Sequence, residues 1–164
     1  MSLEHDLLAQ SQSLARLDRR RPKQANLRRA TSAAYYGLFH LLTDEASRRL
    51  VRTSGRFAHR NMIRRAFVHG DMRSTCRAFL QPTRPSWLIA TGVSVSPELL
   101  VVAEAFDFLQ QERHDADYNH AAIFTRIRAL EAARRATRAF AAWEQVRGQP
   151  DADLFLIALL VRPR

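Results

Sequence analysis

Cysteine is almost missing from this chain. Cys76 is the only one among 164 residues, which excludes an intrachain disulfide and a zinc site built from thiolates. A reducing, cytoplasmic setting is the simplest expectation. Glycine (5) and proline (6) are scarce, which works against an all-β fold with many tight turns. Long hydrophobic runs are also lacking. The longest, Leu154 to Val161, has eight residues, whereas a membrane-spanning helix needs roughly 20. No membrane partner is therefore expected. The start of the chain, Met1 to Asp6, places acid ahead of a short apolar pair and is not patterned as a signal peptide.

The residues that are abundant point to a globular protein, with 46% apolar and 26% charged side chains. The length fits a single domain over 1–164 that buries about 68–70% of its unfolded surface. Such a core needs no metal or cofactor to stay folded. The charge is one-sided, with 26 basic against 16 acidic residues and a net of +10, and every basic residue except Lys23 is Arg. A field of that sign attracts phosphates, so RNA or a nucleotide is the leading partner. The competing reading is that many of these arginines merely solvate helix faces.

Most of the chain reads at helical period. Leu3, Leu7, Leu14 and Leu17 suggest a first helix over 3–17, ended by the charged stretch Asp18 to Pro22. Leu27, Ala30, Ala34, Leu38, Leu41 and Leu42 give the strongest stripe, over about 24–52. Gly37 inside it suggests close helix packing. A third segment over about 57–80 has Phe57, Met62, Phe67, Met72 and Phe79 as expected anchors, with Gly70 kinking or splitting it. The stretch 81–96 is irregular, and Ser96-Pro97-Glu98 then opens a fourth helix to about Glu112. A fifth over about 116–147 carries Ile123, Ile127 and Leu130 on one stripe. The apolar extension 151–164 leaves a short helix or a buried strand open. The expected fold is all-α, an up-and-down antiparallel bundle of four to five helices.

Two segments carry more than packing: Arg29-Ala30-Thr31-Ser32-Ala33-Ala34-Tyr35-Tyr36-Gly37-Leu38-Phe39-His40, and Glu112-Arg113-His114-Asp115-Ala116-Asp117-Tyr118-Asn119-His120. Together, in this order within a helical chain, they resemble the HEPN domain family. The likeness is to its short stand-alone bacterial members, which carry an AYY…H helix followed by an R…ADY segment. The resemblance spans about 24–146. It implies a HEPN-like bundle and a catalytic signature of an Arg, four to six intervening residues and a His, met here by Arg113 and His120. It further implies metal-independent RNA cleavage, a homodimer that pools an Arg and a His from each copy, and a toxin or defence role with a partner antitoxin. The alternative within the family is a non-catalytic module that binds a nucleotide, a nucleic acid or a partner protein. No Tyr stands two residues after His120, so control by nucleotidylation of such a tyrosine is not implied.

The residue chemistry suits that reading. Attack of a ribose 2′-OH on the adjacent phosphorus needs a proton acceptor, a proton donor and a fixed positive charge. His can exchange protons near neutral pH, and Arg stays charged. On a continuous helix Arg113 and His120 would share a face but stand about 10.5 Å apart in rise, unless Asp115 caps a new helix between them. His114, Asp117, Tyr118, Tyr36 and His40 are the supporting polar candidates.

Each candidate also has a plainer role. Arg113 and Asp117 fit an i, i+4 ion pair, His120 a packed imidazole, and Tyr35 with Tyr36 packing residues with bonded hydroxyls. Tyr36, His40 and Asp44 form a polar stripe at i, i+4, i+8. Arg128, Arg135 and Arg138 share a face that would grip RNA or lie in solvent. Adjacent His114-Asp115, with His40, His59 and His69 upstream, also raises a metal phosphohydrolase of the HD type.

Overall fold

Apolar side chains recur at helical spacing nearly throughout, and the described residues form eight α-helices and no strand. The structure, a computed structural model, describes residues 2–18 and 20–161. Arg19 of the charged stretch and the last three residues of the C-terminal extension lie outside them. The helices are α1 (Leu3–Arg16), α2 (Gln24–Leu50), α3 (Phe57–Ala66), α4 (His69–Leu80), α5 (Ser86–Ala90), α6 (Pro97–Tyr118), α7 (Arg126–Val146) and α8 (Pro150–Val161).

The four long helices alternate in direction. Gly37 in the middle of α2 lies against Glu4 and Leu8 near the start of α1. Arg28 near the start of α2 reaches the carbonyls of Asp115 and Ala116 near the end of α6, whereas Tyr35 packs on Phe106, further back along α6. Arg128 pairs with Glu112 and Arg135 with Glu104, so α7 runs back along α6. Gln12 donates to Thr137 at 3.1 Å and His5 meets Phe140 edge-on, which brings α1 beside α7. The expected up-and-down order is therefore present in α1, α2, α6 and α7. α4 and α8 close over one side through an edge-to-face pair, Phe79 with Phe155 at 5.1 Å. α3 lies against α2.

The main core gathers Tyr35, Leu38, Leu42, Met72, Phe79, Phe106, Trp143 and Phe155, all buried. Each large side chain of this kind stabilises the fold by about 1.5–3 kcal/mol. The expected stripe of α2 is buried as read. Cys76 of α4 is buried in the same core, and burial raises its thiol well above the ordinary value. The apolar C-terminal run is helical, with Phe155, Leu156, Ala158 and Leu159 completing the core.

Several sequence expectations are corrected. The 57–80 segment breaks at Phe67 and Val68, both extended, rather than at Gly70. Phe57 and Met62 are not anchors: they are 70% and 71% exposed, and α3 buries none of its residues. The irregular stretch contains the short α5. α6 runs six residues past Glu112, to Tyr118, so Asp115 lies inside it and caps nothing. α7 starts only at Arg126, where Thr125 accepts from the Arg128 N–H at 3.1 Å. Ile123 and Ile127 are each 76% exposed instead of lining the core. Ser96 caps α6 as read, accepting from the Leu99 N–H at 3.3 Å. It also donates its N–H and its hydroxyl to buried Asp151, at 2.9 and 2.6 Å.

Gly37 marks the close approach of α1, since a Cβ there would stand 3.3 Å from the Glu4 carbonyl oxygen and 3.5 Å from the Leu8 nitrogen. Gly37→Val therefore destabilises by about 1–3 kcal/mol through overpacking. Gly70 of α4 has open space around its Cβ position, so Gly70→Ala stabilises by about 0.5–1 kcal/mol through helix propensity. Urea unfolding of the two variants checks both signs.

Candidate functional site

The continuation of α6 to Tyr118 sets the geometry of the site. Arg113 and Asp117, one turn apart on α6, both face α2. Arg113 Nη2 donates to the Tyr36 hydroxyl at 2.7 Å, and Ser32 Oγ donates to Asp117 Oδ1 at 2.7 Å. Arg113 Nε stands 2.8 Å from Asp117 Oδ2, an i, i+4 ion pair by distance in which the N–H is not aimed at the oxygen. The guanidinium lies over three rings, Tyr36 at 5.4 Å, Tyr118 at 5.4 Å and Tyr35 at 5.9 Å. Burial works against its charge, but Tyr36 and Asp117 outweigh burial and hold Arg113 above its ordinary value. Its side chain keeps 16% of its surface in solvent.

Two imidazoles lie nearby, His69 beside this cation and His40 on the far side of Tyr36. His69, at the start of α4, shares a 2.5 Å hydrogen bond with the buried Tyr35 hydroxyl and lies 4.4 Å from the Phe39 ring. Burial, then the Arg113 charge, then His40 lower its pKa. His40 sits beside Tyr36 and Phe39, with ring centroids 6.4 and 5.4 Å away. Burial lowers its pKa too, and Arg64 adds to that, against the opposing pull of Glu4 and Asp44. Both imidazoles are thereby kept neutral next to a permanent cation. Burial likewise pushes the Tyr35 hydroxyl above its ordinary value, so it stays protonated.

His120 is placed elsewhere. It is exposed on the turn after α6, two residues past the helix end, and no contact joins it to Arg113 within one chain. His114 is exposed as well, its ring 5.2 Å from Tyr118. Of the expected residues, the chain unites Arg113, Asp117, Tyr118, Tyr36 and His40, and leaves His114 and His120 on the outer side. Sequence reasoning missed Arg28, which lies in neither segment, and named His69 only among the upstream imidazoles of the metal reading. Nothing in the sequence points His69 to this site, because a lone imidazole after a strand-like Phe-Val pair has no distinctive spacing.

Arg28 fixes where the turn lies. Its guanidinium donates to the carbonyls of Asp115 (3.3 Å), Ala116 (2.8 Å), Asn119 (3.0 Å) and Ala122 (2.5 Å). Gln24 adds a two-way bond to the Phe124 backbone, at 2.7 and 2.9 Å. Arg128, expected on a face open to RNA, instead grips Glu112 at 2.6 and 3.0 Å and Asp115 at 2.9 Å. Arg135 is likewise tied to Glu131 and Glu104. On its α1 side, Tyr36 borders a groove of about 430 Å³ lined also by Gln10, Asn26, Arg29 and Ser32.

Among the described residues, no group of three or more His, Cys, Asp or Glu side chains is placed to hold a metal ion. His114 turns to Tyr118 and Asp115 to Arg128, which leaves the HD-type phosphohydrolase reading without a site. No family model, no curated protein and no solved structure matches the chain.

Arg28→Ala removes four charge-assisted bonds to backbone oxygen, and costs about 2–3 kcal/mol. Amide exchange in 119–125 accelerates ahead of the core in that variant. The depressed imidazoles set the acid limb of stability. Below about pH 6.5 the unfolded chain binds more protons than the fold at these two imidazoles, so stability falls as the pH is lowered further. His69 is faced by Tyr35 and His40 from α2 and by Arg113 from α6. Its replacement, His69→Gln, flattens that limb, as read by urea midpoints across the range.

Proposed function

We propose that this chain is a HEPN-type protein acting on RNA, a metal-independent endoribonuclease that works as a homodimer in a toxin or defence setting. The observation that carries the reading is the Arg113–Tyr36 bond at 2.7 Å, seconded by Ser32 to Asp117. The two segments on which the family resemblance rests, far apart in sequence, are joined side chain to side chain around one guanidinium.

Arg113 holds the scissile phosphate and offsets charge on the pentavalent phosphorus. A neutral imidazole takes the proton from the 2′-OH as the 2′-oxygen bonds to phosphorus. A second, protonated imidazole gives its proton to the 5′-oxygen as the P–O5′ bond breaks, leaving a 2′,3′-cyclic phosphate and a free 5′-hydroxyl. His120 from each of two copies supplies that pair. The exposed apolar side chains that neighbour His120 in sequence, Tyr118 (60%), Ile123 and Ile127, are the ones on which the second copy would sit.

A second reading, a non-catalytic module binding a nucleotide or nucleic acid, is favoured by two observations. Arg113 is already paired with Asp117, and the 430 Å³ groove beside Tyr36 is of nucleotide size, with Arg29 and Asn26 on its walls.

Incubation of the purified chain with single-stranded RNA in EDTA separates the two. Cleavage to cyclic-phosphate ends, falling about 10²–10⁴-fold in His120→Ala, and about 10²–10³-fold in Arg113→Gln, supports the nuclease. Mixing those two inactive variants restores no activity, because a mixed dimer carries a single His120 and the step needs one from each copy. RNA or nucleotide binding without cleavage, lost in Arg113→Gln, assigns the second reading instead. Cleavage equal to wild type in His120→Ala removes the nuclease assignment.

A further inference from the structure

The excess positive charge of the chain is not spread evenly. From Ala46 to Gly70 there is no Asp or Glu, yet the stretch carries seven arginines, at 48, 49, 52, 56, 60, 64 and 65. It covers the end of α2, the loop after it and the whole of α3. Partners are few. Asp44 alone serves both Arg48 and Arg64, and Arg49 pairs with Asp153. Arg60 spends two donors on the Val51 carbonyl, at 3.1 and 2.9 Å, which leaves its charge uncompensated. Arg52, Arg56 and Arg65 are exposed, and among the described residues no carboxylate pairs with them.

α3 shows why this face is unusual. Its inner edge, Arg60, Ile63 and Arg64, turns to α2 and the loop before it. Its outer surface carries Phe57, Asn61 and Arg65 at i, i+4, i+8, with Met62 beside them. The Phe57 ring and the Met62 thioether stand in solvent among guanidiniums, on a helix that buries nothing of its own. Cations for phosphates, interleaved with an aromatic face for a base, are the elements of single-strand recognition. Two exposed large apolar side chains, Phe57 and Met62, are too few for the apolar side of a lipid-embedded helix.

The face is also continuous with the Arg113 site. Arg64 reaches Asp44, and the stripe Tyr36, His40, Asp44 on α2 leads from there to Arg113. That stripe covers about 12 Å of helix axis. We propose that α3 and the loop before it form the surface along which single-stranded RNA lies as it enters the Arg113 site. Arg52, Arg56 and Arg65 take phosphates, and Phe57 stacks on a base. The proposal rests on the RNA reading above, but its test measures binding and does not depend on cleavage.

The experiment is fluorescence anisotropy of the full chain with a labelled oligouridylate at several salt concentrations. Wild type binds with a steep salt dependence. The triple variant Arg52→Gln/Arg56→Gln/Arg65→Gln, all exposed positions, lowers the log–log salt slope by about 2 and weakens binding at least ~10-fold. Phe57→Ala weakens binding about 5- to 100-fold and leaves the slope unchanged. Unchanged circular dichroism and melting show that these variants fold. If the wild type binds and the triple variant keeps its affinity and slope, this surface is not the RNA path, and the Arg113 reading survives. If the triple variant loses binding to phosphatidylserine vesicles but not to RNA, the face is a membrane contact and the proposal is overturned. If the wild type does not bind RNA at all, both readings fall.

Discussion

The site depends on one guanidinium that belongs to neither recognised segment. Arg28 collects four carbonyl oxygens, those of Asp115 and Ala116 in the last turn of α6 and those of Asn119 and Ala122 just beyond it, where the backbone dipole is negative. A single side chain thereby completes the helix end and pins the turn that follows. Phe124, buried under Arg28 and Arg128 at 5.1 and 4.1 Å, locks the far side of the same turn. With that end fixed against α2, Arg113 and Asp117 have one place to go, beside Tyr36 and Ser32. The position of His120 on the outer side is set by the same clamp.

Around Arg113 the fold arranges groups of opposite behaviour. The guanidinium is charged as any arginine is, and Tyr36 and Asp117 support that charge against burial. The imidazoles remain neutral because they are half-buried and face cations, Arg113 for His69 and Arg64 for His40. Tyr35 links the two kinds, lying under Arg113 while sharing its hydroxyl with His69. Permanent charge and neutral imidazoles thus stand side by side within one half-buried cluster.

What could be read from the sequence follows from how local the cause is. The α2 stripe is periodic over many residues and was legible in full. The Ser96 cap and the close contact at Gly37 are local signals with one meaning each. The end of α6 was not legible, because Glu112-Arg113-His114-Asp115 reads as a polar break. The helix continues there through Arg28 and Arg128, residues 87 and 13 positions away from Asp115. Phe57, Met62, Ile123 and Ile127 misled for a related reason. Their spacing is right for a core stripe, but no element packs against that side of them. Of the candidate site, Arg113, Tyr36 and Asp117 all lie in the two segments, whereas His69 reaches Tyr35 and Phe39 only because α4 packs on α6.

The isolation of Cys76 has an experimental corollary. A lone thiol with no exposed surface, held protonated in an apolar interior, stays silent toward alkylating reagents while the bundle is closed. Its capture rate then clocks the opening of the packed interior. The protein carries its own stopwatch for breathing motions, with no engineered label needed.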